Sequence, residues 1–178
     1  IGALGTIVGV EILDTADINN GEDITVRAAS PLTIDSPVVN NAGGDIVLTA
    51  INDGGNDDHL TISANVTASG GNGAIDLNAG TDLVINNDVT VSTENSGAIT
   101  GDAERAIAIS SNLATTTIQA TGGNISLTAN RGGTAVTGDF DGINIDDATV
   151  TATTGNLALD GRSGDVGTSN EGIVLTNG

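Results

Sequence analysis

The sequence lacks cysteine, methionine, tryptophan, tyrosine and lysine, and Phe140 is its one aromatic residue. Without cysteine, disulfide bonds contribute nothing to its stability. Large aromatic side chains usually supply much of the buried area of a globular core. A core built from isoleucine, valine, leucine and alanine therefore fits thin stacked layers better than a rounded domain. No run of apolar residues in the sequence is long enough to cross a membrane as a helix.

Positive charge is also scarce. The 178 residues include 23 acids and four arginines, which gives a formal net charge of −19. Such a surface repels nucleic acid and anionic membranes, attracts cations and keeps a long apolar-cored object in solution. We therefore expect no nucleic-acid partner and no membrane insertion. The sequence shows no signal peptide and begins at Ile1, which favours a fragment or processed product of a longer protein.

Two repeat elements alternate along most of the chain. The first has two aliphatic residues separated by one position and, in most copies, an alanine two positions later, and glycine stands shortly before most copies. Its copies, of which the fourth and sixth are weaker, begin at Ile24, Ile46, Ile75, Ile99, Ile125 and Leu157. They are 22, 29, 24, 26 and 32 residues apart, the length of one β-helix coil with three short strands.

The second element has two aliphatic residues separated by one position and a third aliphatic residue four or five positions later. Its copies begin at Leu32, Leu60, Leu83, Ile107 and Ile143. The third aliphatic residues are Val38, Val66, Val89, Leu113 and Val150. Alternating residues of a strand point to opposite faces, so each copy predicts a short strand with one apolar face.

These patterns predict an all-β, right-handed parallel β-helix, or β-solenoid, as a single segment over residues 1–178. Residues 173–175 add a further coil and residues 7–13 an earlier one, which gives about seven coils of 22–32 residues. Asn, Asp and Ser follow the second element and can satisfy the backbone groups of the turns. Three insertions, residues 51–59, 130–142 and 162–172, are predicted to be outer loops, where specific binding would be located.

Gly-Asn-Ile-Ser-Leu-Thr-Ala at residues 123–129 alternates with Leu-Val-Ile-Asn-Asn-Asp-Val-Thr-Val at residues 83–91. This alternation resembles the β-helical shafts of filamentous-haemagglutinin-like exoproteins and other β-strand-repeat bacterial surface proteins. The resemblance covers residues 22–175. It implies a secreted, rod-like protein outside the cell or on the bacterial surface, used for attachment, coating or filament building. It assigns no functional residue.

Two acidic turns are candidate calcium sites, since Ca²⁺ prefers carboxylate and carbonyl oxygens. One turn contains Asp53, Asp57 and Asp58, and the other contains Asp139 and Asp141. The first turn is similar to the glycine-aspartate calcium repeats of secreted solenoids, but that motif works as a stacked series and occurs here once. The competing interpretation is a solvated, charged loop without a metal.

Two further functions remain as alternatives. Paired carboxylates could serve a polysaccharide-acting enzyme as acid and base, and the best pairs are Asp139 with Asp141 and Asp146 with Asp147. The near-absence of aromatic and basic residues argues against sugar chemistry. A column of outward threonines could order water, as in ice-binding solenoids, but the irregular coil lengths argue against it.

The sequence therefore favours a non-catalytic extracellular structural protein, namely a shaft or subunit of a bacterial adhesin, coat or filament. No catalytic residue and no cofactor other than the candidate Ca²⁺ is assigned. The expected partners are neighbouring solenoid coils or identical subunits stacked end to end, together with host or cell-surface glycans. The unpaired strand edges at the ends of a solenoid require such a cover.

Overall fold

The computed structural model describes residues 10–12, 21–29, 31–55, 57–111, 115–168 and 170–177. All 18 regular elements within these residues are β-strands. They form three parallel sheets of six strands each, and each neighbouring pair of strands in a sheet belongs to successive coils. The predicted all-β parallel solenoid is thereby confirmed.

Each sheet takes one strand from every coil. Sheet B contains β2 (Ile24–Ala28), β5 (Ile46–Ala50), β8 (Ile75–Ala79), β11 (Ile99–Ala103), β14 (Ile125–Ala129) and β17 (Leu157–Gly161). Sheet C contains β3 (Leu32–Ile34), β6 (Leu60–Ile62), β9 (Leu83–Ile85), β12 (Ile107–Ser110), β15 (Ile143–Asp146) and β18 (Ile173–Thr176). Sheet A contains β1 (Val10–Ile12), β4 (Val38–Asn40), β7 (Val66–Ala68), β10 (Thr90–Thr93), β13 (Thr116–Ala120) and β16 (Ala148–Ala152).

The chain runs through sheets B, C and A in turn, and the described residues form five complete coils, from β2 to β16. One strand, β1, precedes them, and two strands, β17 and β18, follow them. The predicted count of about seven coils thus differs slightly from the five complete coils and the partial coil at each end that the described residues form. Residues 7–9 and 13 of the predicted first coil lie outside the described residues. The repeat pattern counts β17 and β18 as parts of two coils, because the insertion of residues 162–172 lies between them. In the structure, both strands belong to the same partial coil.

The inward residues of sheet B lie directly over one another. Ile24, Ile46, Ile75, Ile99, Ile125 and Leu157 are register partners in one column. The four middle members of this column are 0% exposed. Because burying one such side chain contributes about 1.5–3 kcal/mol, the stacked columns supply the main stabilisation of a chain with one aromatic residue.

The third predicted column needs one correction. Val38 and Val66 are register partners, but the next members are Val91 and Ile118 rather than Val89. The corner after β9 is longer than the first two corners and includes a left-handed turn at Asp88, so the strand begins later. Leu113, the other predicted member, lies outside the described residues, and Val150 joins the column as predicted.

A column of glycines explains the glycine that precedes the first element. Gly44, Gly73, Gly97, Gly123 and Gly155 occupy equivalent positions before successive strands of sheet B. A Cβ atom on Gly97 would lie 2.1 Å from the carbonyl oxygen of Gly73, and one on Gly123 would lie 1.9 Å from that of Gly97. The coils can approach to the strand spacing of about 4.8 Å only where no side chain intervenes.

Acidic and amide side chains cap the backbone of the following coil at the same corner. Asp23 Oδ1 accepts the N–H of Asp45 at 2.8 Å, and Asp45 Oδ1 accepts the N–H of Ala74 at 2.7 Å. Asn124 Oδ1 accepts the N–H of Asn156 at 2.8 Å in the same way. These side chains fix the coils to one another where the strand ladder is interrupted.

Candidate functional site

The three insertions lie at a single corner of the solenoid. Residues 51–59 join β5 to β6, residues 130–142 join β14 to β15, and residues 162–172 join β17 to β18. All three connect sheet B to sheet C, and the other described connections at this corner are only three residues long. We call this edge the loop corner. Loops held by a rigid scaffold are where binding groups are usually found.

Asp58 is the most unusual acid at the loop corner, because it is 0% exposed. Its Oδ2 accepts the N–H of Asp53 at 3.2 Å. Its Oδ1 is buried and has no hydrogen-bond partner among the described residues. Asp53 lies on the same loop, but it is exposed and its Oδ1 accepts the N–H of Gly55 at 3.1 Å.

The other predicted calcium ligands do not join this pair in one cluster. Asp57 is exposed on the same loop, whereas Asp139 and Asp141 lie on the second insertion, three coils away. Three coil spacings correspond to about 14 Å. Asp141 Oδ1 accepts the N–H of Glu171 at 2.9 Å. Within the part of the chain that the structure describes, no three His, Cys, Asp or Glu side chains come together to hold a metal ion.

A chain of polar contacts crosses three coils beside the first insertion. His59 Nδ1 lies 2.9 Å from Thr81 Oγ1 and 3.5 Å from Asp82 Oδ2. Arg105 donates to Asp82 from Nε at 2.7 Å and also from a terminal nitrogen. The hydrogen bond to Asp82 raises the pKa of Arg105, and partial burial opposes that shift. The arrangement holds neighbouring coils together at the loop corner.

Sequence reasoning did not find this chain of contacts. His59 and Asp82 immediately precede Leu60 and Leu83, which begin successive copies of the second element. Aligning the copies would have placed both residues side by side on adjacent coils, since Leu60 and Leu83 are register partners. The contact with Arg105 could not be read in this way, because it depends on the reach of a long side chain.

A shallow groove of about 450 Å³ lies beneath the second insertion. Its lining residues are Asp102, Ala103, Glu104, Thr128, Arg131, Gly132, Gly133, Thr134 and Val136. Arg131 pairs with Asp160 of the following coil at 3.0 Å, and Arg162 donates to the carbonyl of Gly132 at 3.2 Å. The groove therefore combines two carboxylates, two hydroxyls and a guanidinium, which are groups that hydrogen-bond to hydroxylated ligands.

The two candidate acid pairs lie at opposite ends of β15. Asp139 and Asp141 precede the strand at the loop corner. Asp146, its last residue, and Asp147 lie at the corner between sheets C and A. Asp146 accepts hydrogen bonds from Thr176 Oγ1 at 2.6 Å and from Asn177 Nδ2 at 2.9 Å. These two bonds lower the pKa of Asp146, which suits an acceptor between coils rather than a proton donor.

The predicted threonine column is present only in part. One outward row of sheet A holds Val39, Thr67, Ser92, Gln119 and Thr151 in turn. A second outward row places Thr90, Thr117 and Thr149 in register on three successive coils. Thr116, at the start of β13, does not belong to either outward row, because it is 0% exposed and donates to the carbonyl oxygens of Asn86 and Ser110. In the first row, the hydroxyl oxygens of Thr67 and Ser92 lie 3.4 Å apart.

Fold and surface together define a parallel β-solenoid repeat protein whose insertions share one corner. The chain matches no protein family, no curated protein and no solved structure. Among the described residues, no helix is long and apolar enough to cross a membrane.

Proposed function

We propose that the chain is a non-catalytic structural segment of an extracellular bacterial shaft, of the kind found in filamentous-haemagglutinin-like adhesins, coats and filaments. The observation that carries this proposal is the inward column through Ile46, Ile75, Ile99 and Ile125, which continues without a break through successive coils. A stack in which each coil is buried by its neighbours is stiff along its axis and can be lengthened coil by coil.

The use of acidic side chains also supports a structural role. Asp23, Asp45, Asp141 and Asp146 each accept a hydrogen bond from the next coil. Acids used in this way connect coils, and together with the other acids they give the chain its net charge of −19. Strong like charge on the outer wall disfavours side-by-side association of parallel rods.

Negative-stain imaging of the native full-length material, combined with assays for reducing ends released from polyuronates and other polysaccharides, tests this proposal. We expect rods of uniform width and no release of sugar. A compact particle that releases reducing ends would favour the polysaccharide-acting enzyme instead. Loss of that release in Asp139→Asn or Asp146→Asn would then assign the acid responsible.

We propose surface glycans as the partners of the groove beneath the second insertion. Their hydroxyl groups could pair with Glu104, Thr128 and Arg131, which line it. Glycan-array binding of the full chain should weaken in Glu104→Gln and stay unchanged in Gln119→Glu, a substitution on the wall of sheet A. Equal binding by both variants would remove the groove from the proposal.

Calcium binding by the first insertion is a second candidate function, favoured by the buried, unpartnered Oδ1 of Asp58. A buried carboxylate oxygen without a partner is costly, and a cation would relieve that cost. Asp53, whose backbone N–H donates to Asp58 Oδ2, would be the second carboxylate ligand. Backbone carbonyls and water would complete a site of the weak, extracellular type.

Thermal unfolding with calcium or with a chelator tests this second candidate. Calcium at about 100 times its Kd should stabilise the wild type by about 2.7 kcal/mol. Asp58→Asn should abolish that gain, whereas Asp35→Asn, a matched change of an exposed acid at another corner, should keep it. A wild-type melting temperature that does not respond to calcium would eliminate the site.

A further inference from the structure

The C-terminal end of the solenoid exposes apolar side chains that belong to the inward columns. Leu157, Ile173 and Leu175 are 46%, 38% and 65% exposed. Their register partners one coil earlier include Ile125 and Ile143, both 0% exposed. The exposed side chains are aliphatic, like those of the core, and lie in the same columns. The surface that would cover them is therefore a further layer of inward aliphatic side chains in the same register.

The backbone at this end is also unpaired on one side. Among the described residues, β16, β17 and β18 are each the outermost strand of their sheet. An open strand edge next to exposed aliphatic side chains is a template for pairing with a further strand. Every described strand pair in this molecule is parallel, so the matching occupant is a parallel strand in each sheet.

The first complete coil exposes less apolar surface than the last, partial one. Ile24, Ile34 and Val38 are only 4%, 7% and 3% exposed, and Val26 and Leu32 are partly exposed. Head-to-tail stacking of identical copies, one of the two arrangements predicted from the sequence, would therefore bring fewer exposed apolar side chains to Leu157 and Leu175 and receives less support than a further coil.

The corner after β18 already has the conformation that leads into sheet A. Asn177 has a φ of 55°, and Asp147, at the equivalent corner one coil earlier, has a φ of 52° and leads directly into β16. Thr176 is the register partner of Asp146, and its carbonyl accepts the N–H of Asp147 at 3.0 Å. This left-handed conformation is uncommon outside turns. Its presence at both Asp147 and Asn177 therefore indicates that a strand of sheet A would follow Asn177, as β16 follows Asp147.

We propose that the C-terminal end is an elongation face and that its occupant is a further coil of the same polypeptide, beginning with a strand parallel to β16. This inference rests on the proposed function as a segment of a longer shaft. The corner at Asn177 favours covalent continuation over a separate subunit, because the same conformation at Asp147 leads into a strand of sheet A.

The test inserts a copy of residues 148–177 directly after Asn177 of the full chain. Each strand of the copy then meets its own parent strand, so Val150, Leu157 and Ile173 would stack on their copies. A matched control carries the same insertion with these three positions of the copy changed to serine. Hydrogen exchange of the parent β17 and β18, measured in dilute monomer, should slow at least about tenfold in the extended chain and not in the serine control.

Three results would overturn the proposal. The first is equal exchange of β17 and β18 with and without the added coil. The second is protection of these strands in the original monomer as strong as that of β8 and β11, because no occupant would then be needed. The third is protection that appears together with a doubled mass, which would make a second copy the occupant. Rod formation by the native material tests the structural function separately.

Discussion

The interior coils and the last, partial coil contain the same kinds of residue but differ in burial. Ile99 is 0% exposed in the fourth coil, whereas Leu157, in the same column, is 46% exposed. In sheet C, Ile109 is 1% exposed and Leu175 is 65% exposed. The stability of a position in this molecule thus depends on whether a neighbour covers it on both sides, more than on the residue itself.

The largest expected effect is a contrast between these two regions. Ile99→Ala removes a fully buried side chain, and we expect it to lower the free energy of unfolding by about 2–5 kcal/mol. Leu157→Ala should cost less than about 1 kcal/mol, because nearly half of that side chain remains in water. Denaturant unfolding of both variants measures the contrast, and equal losses would contradict it.

The glycine column sharpens the same comparison. Gly97→Ala places a Cβ atom 2.1 Å from the carbonyl oxygen of Gly73, between two covered coils, and should destabilise the whole chain by about 1–3 kcal/mol. Gly155→Ala creates a similar clash, 2.0 Å from the carbonyl oxygen of Gly123, but in the last coil. That coil can detach locally, so faster hydrogen exchange of β17 should be the main result.

Gly133→Ala is the control for both glycine variants, because nothing lies within 4 Å of the added methyl group. It should change the free energy of unfolding by no more than about 0.5 kcal/mol. A loss as large as that of Gly97→Ala would show that backbone freedom, rather than the close approach of coils, explains the glycine column.

The smallest expected effect concerns the acid dependence of the last coil. Hydrogen bonds from Thr176 and Asn177 lower the pKa of Asp146 in the folded state. Their contribution to stability is therefore present above the unfolded pKa of about 3.9 and is lost as the pH falls through the lower folded value. Strand β18 should accordingly loosen first on acidification.

An NMR titration of the Asp146 carboxyl group checks this expectation. Thr176→Val should move its pKa upward, towards the ordinary value, because the first and larger of the two causes is removed. Thr33→Val, a similar change in the first coil, should leave the Asp146 titration as it is. An unchanged titration in Thr176→Val would show that the hydroxyl is not the cause of the shift.

The strands of sheets B and C could be predicted from the sequence because their inward aliphatic residues alternate with polar ones. Ile46, Ile75 and Ile125 do share one column, as the repeat predicts. Sheet A was harder to predict, because the corner between sheets C and A varies in length. The repeat pattern therefore assigned Val89 to the inward column, where the structure has Val91. Local alternation specifies which face of a strand is buried but not how many residues a corner takes.

The candidate site was less predictable than the fold. The acidic turn with Asp53 and Asp58 is visible in the sequence, but the burial of Asp58 is not, because it depends on how the insertion folds back on the coil. Likewise, the neighbouring sequence does not distinguish Leu157 from Leu127. Both are inward residues of sheet B, but only Leu127 is buried. Exposure at the end of a stack depends on the position of the coil in the stack.

The stacking register is tested most directly by pairs of introduced cysteines, since the chain has no cysteine of its own. Ser92 and Gln119 are register partners on the outer wall of sheet A, and Thr151 is one coil beyond Gln119. Adjacent coils are about 4.8 Å apart, within the span of a disulfide bond. Mild oxidation should therefore close the pair Ser92→Cys with Gln119→Cys and leave the pair Ser92→Cys with Thr151→Cys open. Bonding of the second pair but not the first would contradict the stacked coils.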